Sequence, residues 1–388
     1  MSCNNRILLI GRPDHSMLIY RSLLLQTKLD FKFLTFKVVP SWIRFFTKNR
    51  RLQFVSKKVV IHIRTTIINL LNSKFGCSID ETNCMGHVVS RTLNKTNYKL
   101  IHYWPKYCFS AINSYREKHP DVITLADVHM PNPSYVLRIM DDIYAKYGMN
   151  VNNGFLSQYA QEIKLHLQKE PNIIVPSSYV VDTMKVDFPD KKYYIVPYGI
   201  TISPHYVKKE TVSGCKRIYK FVYAGAISIE KGCDFLINWF CNHQDYELHL
   251  FGSVPQSQQF IFKPYYKTKN IVFHGSVPKE EIQHYLCQYH VGIHLSRFDA
   301  YPLAVGEMVG CGLPVIVSVQ TGIKDEVLAN NWGKVVNLDD DSLDNAIQEI
   351  TTSDNYNTFI SNIDQYIKSQ PKSFGERMID LYNELINN

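Results

Sequence analysis

The run Arg297–Ser318, RFDAYPLAVGEMVGCGLPVIVS, constrains the fold more than any other stretch. Ala300-Tyr301-Pro302-Leu303 is turn-prone, Met308–Cys311 is a small-residue helix, Gly312 is a helix stop, and Val315-Ile316-Val317 after Pro314 is an apolar β-branched run. Loop, helix, glycine terminator and buried strand in that order make one unit of an α/β sheet. In such sheets the loop entering the helix lies at the carboxyl ends of the strands, where ligands bind. Free N–H groups at the helix start suit phosphate. Asp299 and Glu307 stand eight residues apart around this loop. Fixed there, carboxylates can accept hydrogen bonds from a ribose or a sugar ring. Spacing alone equally allows Asp299 to be a cap and Glu307 an ordinary helix-surface carboxylate.

The same rhythm recurs along the chain. Arg6–Gly11 reads as a strand, Met17–Gln26 as the helix behind it, and the loop Gly11–Ser16 sits where a first ligand loop belongs. Phe31–Val39, Tyr98–His102, Val122–His129 and Asn172–Val175 follow as strands. The Val122–His129 strand (VITLADVH) places His129 at a carboxyl edge ahead of a Pro-rich loop. A fresh series starts at Phe221–Gly225, with a helix over Cys233–Phe240, strands Tyr246–Gly252 and Asn270–Gly275, and a helix over Pro278–Cys287. Strands Val291–Leu295 and Val335-Val336, then helices Asp344–Ile350 and Phe374–Ile386, complete the chain. At 388 residues two domains are expected. We place them at 1–199 and 200–370, with 371–388 as a terminal helix.

Charge divides the chain. Residues 1–100 hold 17 Lys and Arg against 4 Asp and Glu, while the whole chain is only +8, so the remainder is net acidic. No Asp or Glu occurs between Asp30 and Asp80. Within this basic 31–79 stretch, Ser41–Arg64 interleaves Trp42, Phe45, Phe46 and Phe54 with Arg44, Lys48, Arg50, Arg51, Lys57 and Lys58. Such a segment suits an anionic membrane surface, a nucleic-acid backbone, or an amphipathic helix with a solvated basic face. Nothing in it resembles a nucleic-acid-binding motif, so the membrane surface is favoured and no nucleic acid is expected. Nine cysteines are scattered without a CxxC pair and read as reduced core residues of a cytoplasmic protein. The N-terminus has too short an apolar stretch for a signal peptide, and no apolar run is long enough to span a membrane.

The Arg297–Ser318 run resembles the donor-site signature of family 4 retaining glycosyltransferases of the GT-B fold: acidic, Gly, Phe, Gly, Leu, three variable residues, Glu, Ala, small residues, then Gly-Leu-Pro-Val. Asp299 falls on the first acidic position and Glu307 on the second. Phe221–Gly232 resembles the family's strand-Gly-Arg…Glu-Lys-Gly segment, with Ala226 in place of the Arg. Ile173–Ser178 and Tyr193–Ile200 resemble the elements that end the first domain. Two Rossmann-like, doubly wound domains facing across a cleft are implied, with the last helix crossing back to the first domain.

The resemblance also implies roles. Lys231 holds the donor diphosphate, Glu307 accepts from the ribose, Asp299 accepts from the sugar, and Ser276-Val277 meet the base. Gly11, Gly225, Tyr301, Leu303 and Ala304 complete the nucleotide-sugar contacts. His129 binds the transferred sugar near its reacting end and takes part in catalysis, and His102 ends the strand before it. Arg297 or Arg12 is a candidate for the charge missing at Ala226. Asp299 is one methylene shorter than the usual Glu, a difference of about 1.5 Å in reach. Pro302 stands where Gly is usual and offers no N–H.

A metal-independent, retaining, hexosyltransferase-type enzyme without a cofactor follows. It would move a sugar from a UDP- or GDP-sugar to a hydroxyl of a lipid-linked saccharide, in assembly of a bacterial surface polysaccharide or lipopolysaccharide. Its place would be the cytoplasm, peripherally on the inner face of the membrane. The alternatives are the same fold acting on soluble acceptors, or a catalytically degenerate nucleotide-sugar-binding subunit.

Overall fold

The computed structural model of the chain describes residues 6–11, 18–20, 22–23, 29–35, 38–40, 53–55, 59–61, 81–150, 154–212 and 219–387. Short apolar runs buried on both faces suit the central strands of a covered parallel sheet, as in Leu100–Tyr103 and Val291–His294, and the strands fall into two sets. The first set is β1 (Arg6–Ile10), β2 (Asp30–Thr35), β3 (Val38–Pro40), β4 (Gln53–Val55), β5 (Val59–Ile61), β6 (Leu100–Tyr103), β7 (Ile123–Asp127), β8 (Asn172–Val175) and β9 (Lys192–Ile195). The second is β10 (Lys220–Ala224), β11 (Glu247–Phe251), β12 (Ile271–Gly275), β13 (Val291–His294), β14 (Val315–Ser318) and β15 (Gly333–Val336). The sheets run β5-β2-β1-β6-β7-β8-β9 and β12-β11-β10-β13-β14-β15, with β3 and β4 paired separately. All pairs are parallel.

In each sheet the strand order reverses direction beside the first strand, between β1 and β6 and between β10 and β13. Those two reversals open crevices at the carboxyl ends of the strands. Alternate residues feed opposite cores. Ile7 and Leu9 of β1 pack on one side, Leu8 and Ile10 on the other. Phe221 and Tyr223 of β10 likewise part from Val222 and Ala224.

The helix Phe374–Asn387 returns to the first sheet. Met378, Ile379 and Tyr382 are buried with Ile7, Leu9 and Phe33. This is the two-domain GT-B architecture expected from the sequence.

Three local expectations change. Phe31–Val39 is two strands, because β2 ends at Thr35 and β3 starts at Val38. The described part of Ser41–Arg64 is strand, β4 and β5, and not helix. The rest of that segment, most of the 31–79 stretch and the loop residues Arg12–Ser16 lie outside the described residues. Pro278–Cys287 begins as a turn, in which Glu281 and Ile282 N–H groups both donate to the Pro278 carbonyl (3.0 and 3.2 Å). Only Ile282–Leu286 is helical, since Lys279, Glu280 and Glu281 give no apolar face to bury.

The segment joining the sheets lies on the helix Leu303–Gly310, and two glycines of that helix make the contact possible. A Cβ on Gly306 would sit 2.9 Å from the Gly199 carbonyl oxygen, and one on Gly310 would sit 1.9 Å from that of Thr201. A Gly→Ala change within a helix ordinarily stabilises by up to about 1 kcal/mol. Here Gly310→Ala is expected to lower stability instead, by about 1–3 kcal/mol through overpacking against backbone. Thermal or urea denaturation of the variant checks the sign.

Candidate functional site

The second crevice is built from the exits of β10 and β13. β10 ends in Ala224-Gly225, and Gly225 has φ 145°, a conformation open to glycine. The following turn carries Lys231 into contact with the β13 exit. Arg297 N–H donates to the Glu230 carbonyl (3.0 Å), and a Cβ on Gly232 would strike the Leu295 carbonyl at 1.9 Å. Lys231 Nζ donates to Asp299 Oδ2 at 2.6 Å. Asp299 Oδ1 accepts from the Tyr301 N–H (3.2 Å), and its backbone is bonded to Gln320 and Gly322 (3.0 and 2.9 Å).

His294, at the end of β13, brings Nε2 within 3.4 Å of Asp299 Oδ2 without aligning as a hydrogen bond. Burial alone would raise the Asp299 carboxyl, but the neighbouring His294 ring and the Lys231 ammonium overcome it and hold it well below the usual carboxylate range. Burial pushes His294 down, against the pull of Asp299.

A cavity of about 300 Å³ opens between the end of β10 and the start of the Leu303–Gly310 helix. Gly225, Ser276 and Val277 form one wall; Leu303, Ala304 and Glu307 form another, and Lys279 reaches the same space. The helix Leu303–Gly310 has Pro302 as its N-cap and no side-chain cap, so the N–H groups of its first residues remain available. Pro302 therefore costs no donor, because the free donors begin after it. Burial raises the Glu307 carboxyl, opposed by Lys279.

The first-domain histidines form a chain. Asp127 Oδ2 lies 2.8 Å from His102 Nε2 and 3.3 Å from His129 Nε2. His102 Nδ1 meets the Tyr382 hydroxyl at 2.5 Å, and His129 Nδ1 meets that of Tyr198 at 2.6 Å. Burial, aided by the charges of Asp127 and Asp299, pushes the Tyr198 phenol far up. The phenol stays protonated beside Nδ1, while His129 Nε2 is turned to Asp127. The Tyr198 ring also packs edge-on against Tyr301 at 5.4 Å between ring centres.

The sequence candidates thus separate. Gly225, Ser276, Val277, Leu303, Ala304 and Glu307 share one cavity, while Lys231 and Asp299 pair with each other on the turns that follow β10 and β13. Tyr301 belongs to the wall between the sheets: its side chain is buried, its hydroxyl donates to Glu326 and accepts from the Gly199 N–H (3.1 Å). Gly11 lies at the end of β1, in the first crevice. Arg297 does not supply the charge missing at Ala226. Its guanidinium is forked onto Asp234 at 2.6 and 2.9 Å and held by the Ile229 carbonyl. Arg12 lies outside the described residues.

Contacts invisible in the sequence hold the Lys231 turn from the other domain. Tyr144 donates to Glu230, and Tyr147 donates to Asp234 at 2.6 Å, both from the end of the Pro133–Lys146 helix. Ser177 donates to the Ala300 carbonyl at 2.8 Å. His294 and Lys279 could have been flagged from sequence, one closing an apolar strand and the other following Ser276-Val277.

His294 makes the site sensitive to acid. Its folded pKa lies below that of an unfolded histidine, so below about pH 6.5 the unfolded chain takes up a proton that the folded chain refuses. Stability from this group is present above that pH and declines on acidification, by at most about 1.4 kcal/mol per pH unit. His294→Phe keeps the ring that stacks on Tyr223 and is expected to flatten the loss of melting temperature between neutral pH and mild acid. An unchanged slope would remove His294 as its source.

Residues 219–353 match the family described as Glycosyl transferases group 1. An uncharacterized 41.2 kDa protein in the cps region of Klebsiella pneumoniae is 26% identical over 181 residues, 45% of this chain and 50% of that protein. The phosphatidylinositol N-acetylglucosaminyltransferase GPI3 subunit of Saccharomyces cerevisiae is 29% identical over 147 residues, 35% of this chain and 32% of that protein. The chain thus matches half or less of the length of these relatives. Sucrose-phosphate synthase from Thermosynechococcus elongatus superposes over 99% of both chains with a TM-score of 0.67 at 16% identity. Residues 219–353 thus resemble the Glycosyl transferases group 1 family, within a chain that has the two-domain GT-B fold.

Proposed function

We propose that the chain is a retaining glycosyltransferase that moves a hexose from a nucleoside-diphosphate sugar to an acceptor hydroxyl. The observation that carries this reading is the cavity shared by Glu307 and the uncapped start of the Leu303–Gly310 helix, with the Lys231–Asp299 pair formed by the turns that follow the neighbouring strands β10 and β13. A departing diphosphate gains negative charge as the glycosidic bond breaks. Lys231 and the N–H groups of Leu303 and Ala304 are fixed donors for that charge, so they stabilise the transition state more than the ground state. Asp299 stays ionised and accepts from sugar hydroxyls, while Glu307 accepts from the ribose. Ser276 and Val277 border the base, with Lys279 nearby. His129, held by Asp127 and Tyr198, binds the sugar near its reacting end. Positive charge at the diphosphate comes from side chains and the helix start, so the activity is expected to survive a chelator.

The acceptor we assign is a lipid-linked saccharide presented at an anionic membrane surface, with the enzyme peripheral on its cytoplasmic face. The basic, acid-free stretch from residue 31 to 79 supports this. So does the similarity to the yeast relative, a phosphatidylinositol N-acetylglucosaminyltransferase subunit. No helix among the described residues is long and apolar enough to cross a membrane.

A thermal-shift panel of UDP-, GDP- and ADP-sugars tests the donor half of the proposal. Ligand at 100 times its dissociation constant adds about 2.7 kcal/mol, so one nucleotide class is expected to raise the melting temperature. Lys231→Ala and Glu307→Ala should each abolish the shift. A shift retained in both variants, or none with any nucleotide-sugar, would contradict the assignment.

A further inference from the structure

Two of the cysteines meet outside the crevice. Cys287 caps the end of the helix Ile282–Leu286, and Cys311 caps the end of the helix Leu303–Gly310. The Gln283 carbonyl oxygen accepts the Cys287 N–H (3.2 Å) and lies 3.4 Å from Cys311 Sγ. Cys287 Sγ lies 3.6 Å from the hydroxyl oxygen of the buried Ser203, so the two cysteines are gathered around one carbonyl and one hydroxyl. Lys209 Nζ donates to the carbonyls of Cys287 and Tyr289, which fixes an ammonium at this spot. Cys311 is fully buried, whereas Cys287 is partly exposed.

We propose that Cys287 and Cys311 are a peroxide-sensitive dithiol that closes to an intramolecular disulfide at the seam between the Glu307 helix and the segment joining the two sheets. A reactive sensor thiol is accessible, ionised and next to a resolving partner. The neighbouring Cys311 thiol draws the Cys287 thiol down against the opposing effect of burial, with help from the Ser203 hydroxyl, Lys209 and His205. The neighbouring Cys287 thiol and burial push Cys311 up, so it keeps its proton. Burial pushes Cys108 and Cys233 up as well, which makes them unreactive by comparison.

The Cys287 thiolate attacks one oxygen of hydrogen peroxide. The O–O bond breaks, leaving Cys287 as a sulfenic acid and releasing hydroxide, which becomes water with one proton. Cys311 sulfur then attacks Cys287 sulfur, the S–O bond breaks, and the departing oxygen leaves as a second water with the Cys311 proton. Two thiols lose two electrons and the peroxide gains them. Bonded sulfurs stand only about 2 Å apart, so closure draws the two helix ends together. Cys311 N–H donates to the Glu307 carbonyl (3.0 Å), and Ser203 N–H donates to that of Gly310 (3.0 Å). The strain is delivered to the donor-site helix and to the joining segment.

The test is non-reducing peptide mass spectrometry of the full chain after brief exposure to hydrogen peroxide, a readout independent of sugar transfer. A linked Cys287–Cys311 peptide that is lighter by two hydrogens and restored by dithiothreitol is expected. Cys311→Ser should leave a Cys287 sulfenic acid that dimedone traps, and Cys287→Ser should leave Cys311 unoxidised. In the untreated protein at neutral pH, iodoacetamide should label Cys287 about ten-fold faster than Cys241. Equal labelling rates, Cys287 linked to another cysteine, or oxidation of Cys108 or Cys233 at the same rate would overturn the proposal.

Discussion

The Lys231–Asp299 ion pair is the contact on which the second domain's crevice depends. Its partners leave two different strands, β10 and β13, which are neighbours only because the strand order reverses between them. Gly232 permits the Lys231 turn to press against the backbone after β13, and Arg297 N–H and Ser296 Oγ both bond the Glu230 carbonyl. Lys231 is thereby placed by backbone contacts, and only its last atoms are free to exchange a carboxylate for a phosphate. The charge balance suits such an exchange. An exposed ion pair is worth little, but here the carboxylate is mostly shielded and its partner partly so, and an arriving diphosphate would meet a cation already in position.

The two domains are joined by more than the connecting segment. Tyr144 and Tyr147 fasten the Lys231 turn from one side, while Tyr198 and Tyr301 close the other. The phenol of Tyr198 connects His129 to this wall, so the histidine's orientation responds to how the second domain sits. Arg377, from the returning helix, reaches the Pro197 carbonyl at 3.2 Å and lies 3.8 Å from Glu326, the acceptor of the Tyr301 hydroxyl. The last helix therefore both completes the first core and braces the contact between domains. Buried phenols hydrogen-bonded to carboxylates and imidazole give such an interface direction as well as area.

Much of the second-sheet crevice was legible because its parts are local. Gly225, Lys231, Glu307 and the helix start follow their strands within a few residues, and turn, cap and terminator signals act at that range. The parallel α/β character of both sheets was legible too, from the alternation of apolar runs with helices. What escaped the sequence were partners brought together by folding. Tyr144 and Glu230 are 86 residues apart, and Tyr147 and Asp234 are 87 apart. Arg297 looked like a phosphate ligand because its charge was visible and Asp234, 63 residues away, was not. Cys287 and Cys311 looked like two unrelated core thiols for the same reason.

The central claim is that Lys231 and the start of the Leu303–Gly310 helix grip the diphosphate of a nucleotide-sugar. A crystal structure of the chain with a non-hydrolysable nucleotide-sugar analogue tests it most directly. The account predicts phosphate oxygens within hydrogen-bond distance of Lys231 Nζ and the Ala304 N–H, with the ribose hydroxyls on Glu307. Diphosphate bound elsewhere, with the Lys231–Asp299 pair undisturbed and the cavity beside Glu307 empty, would contradict it.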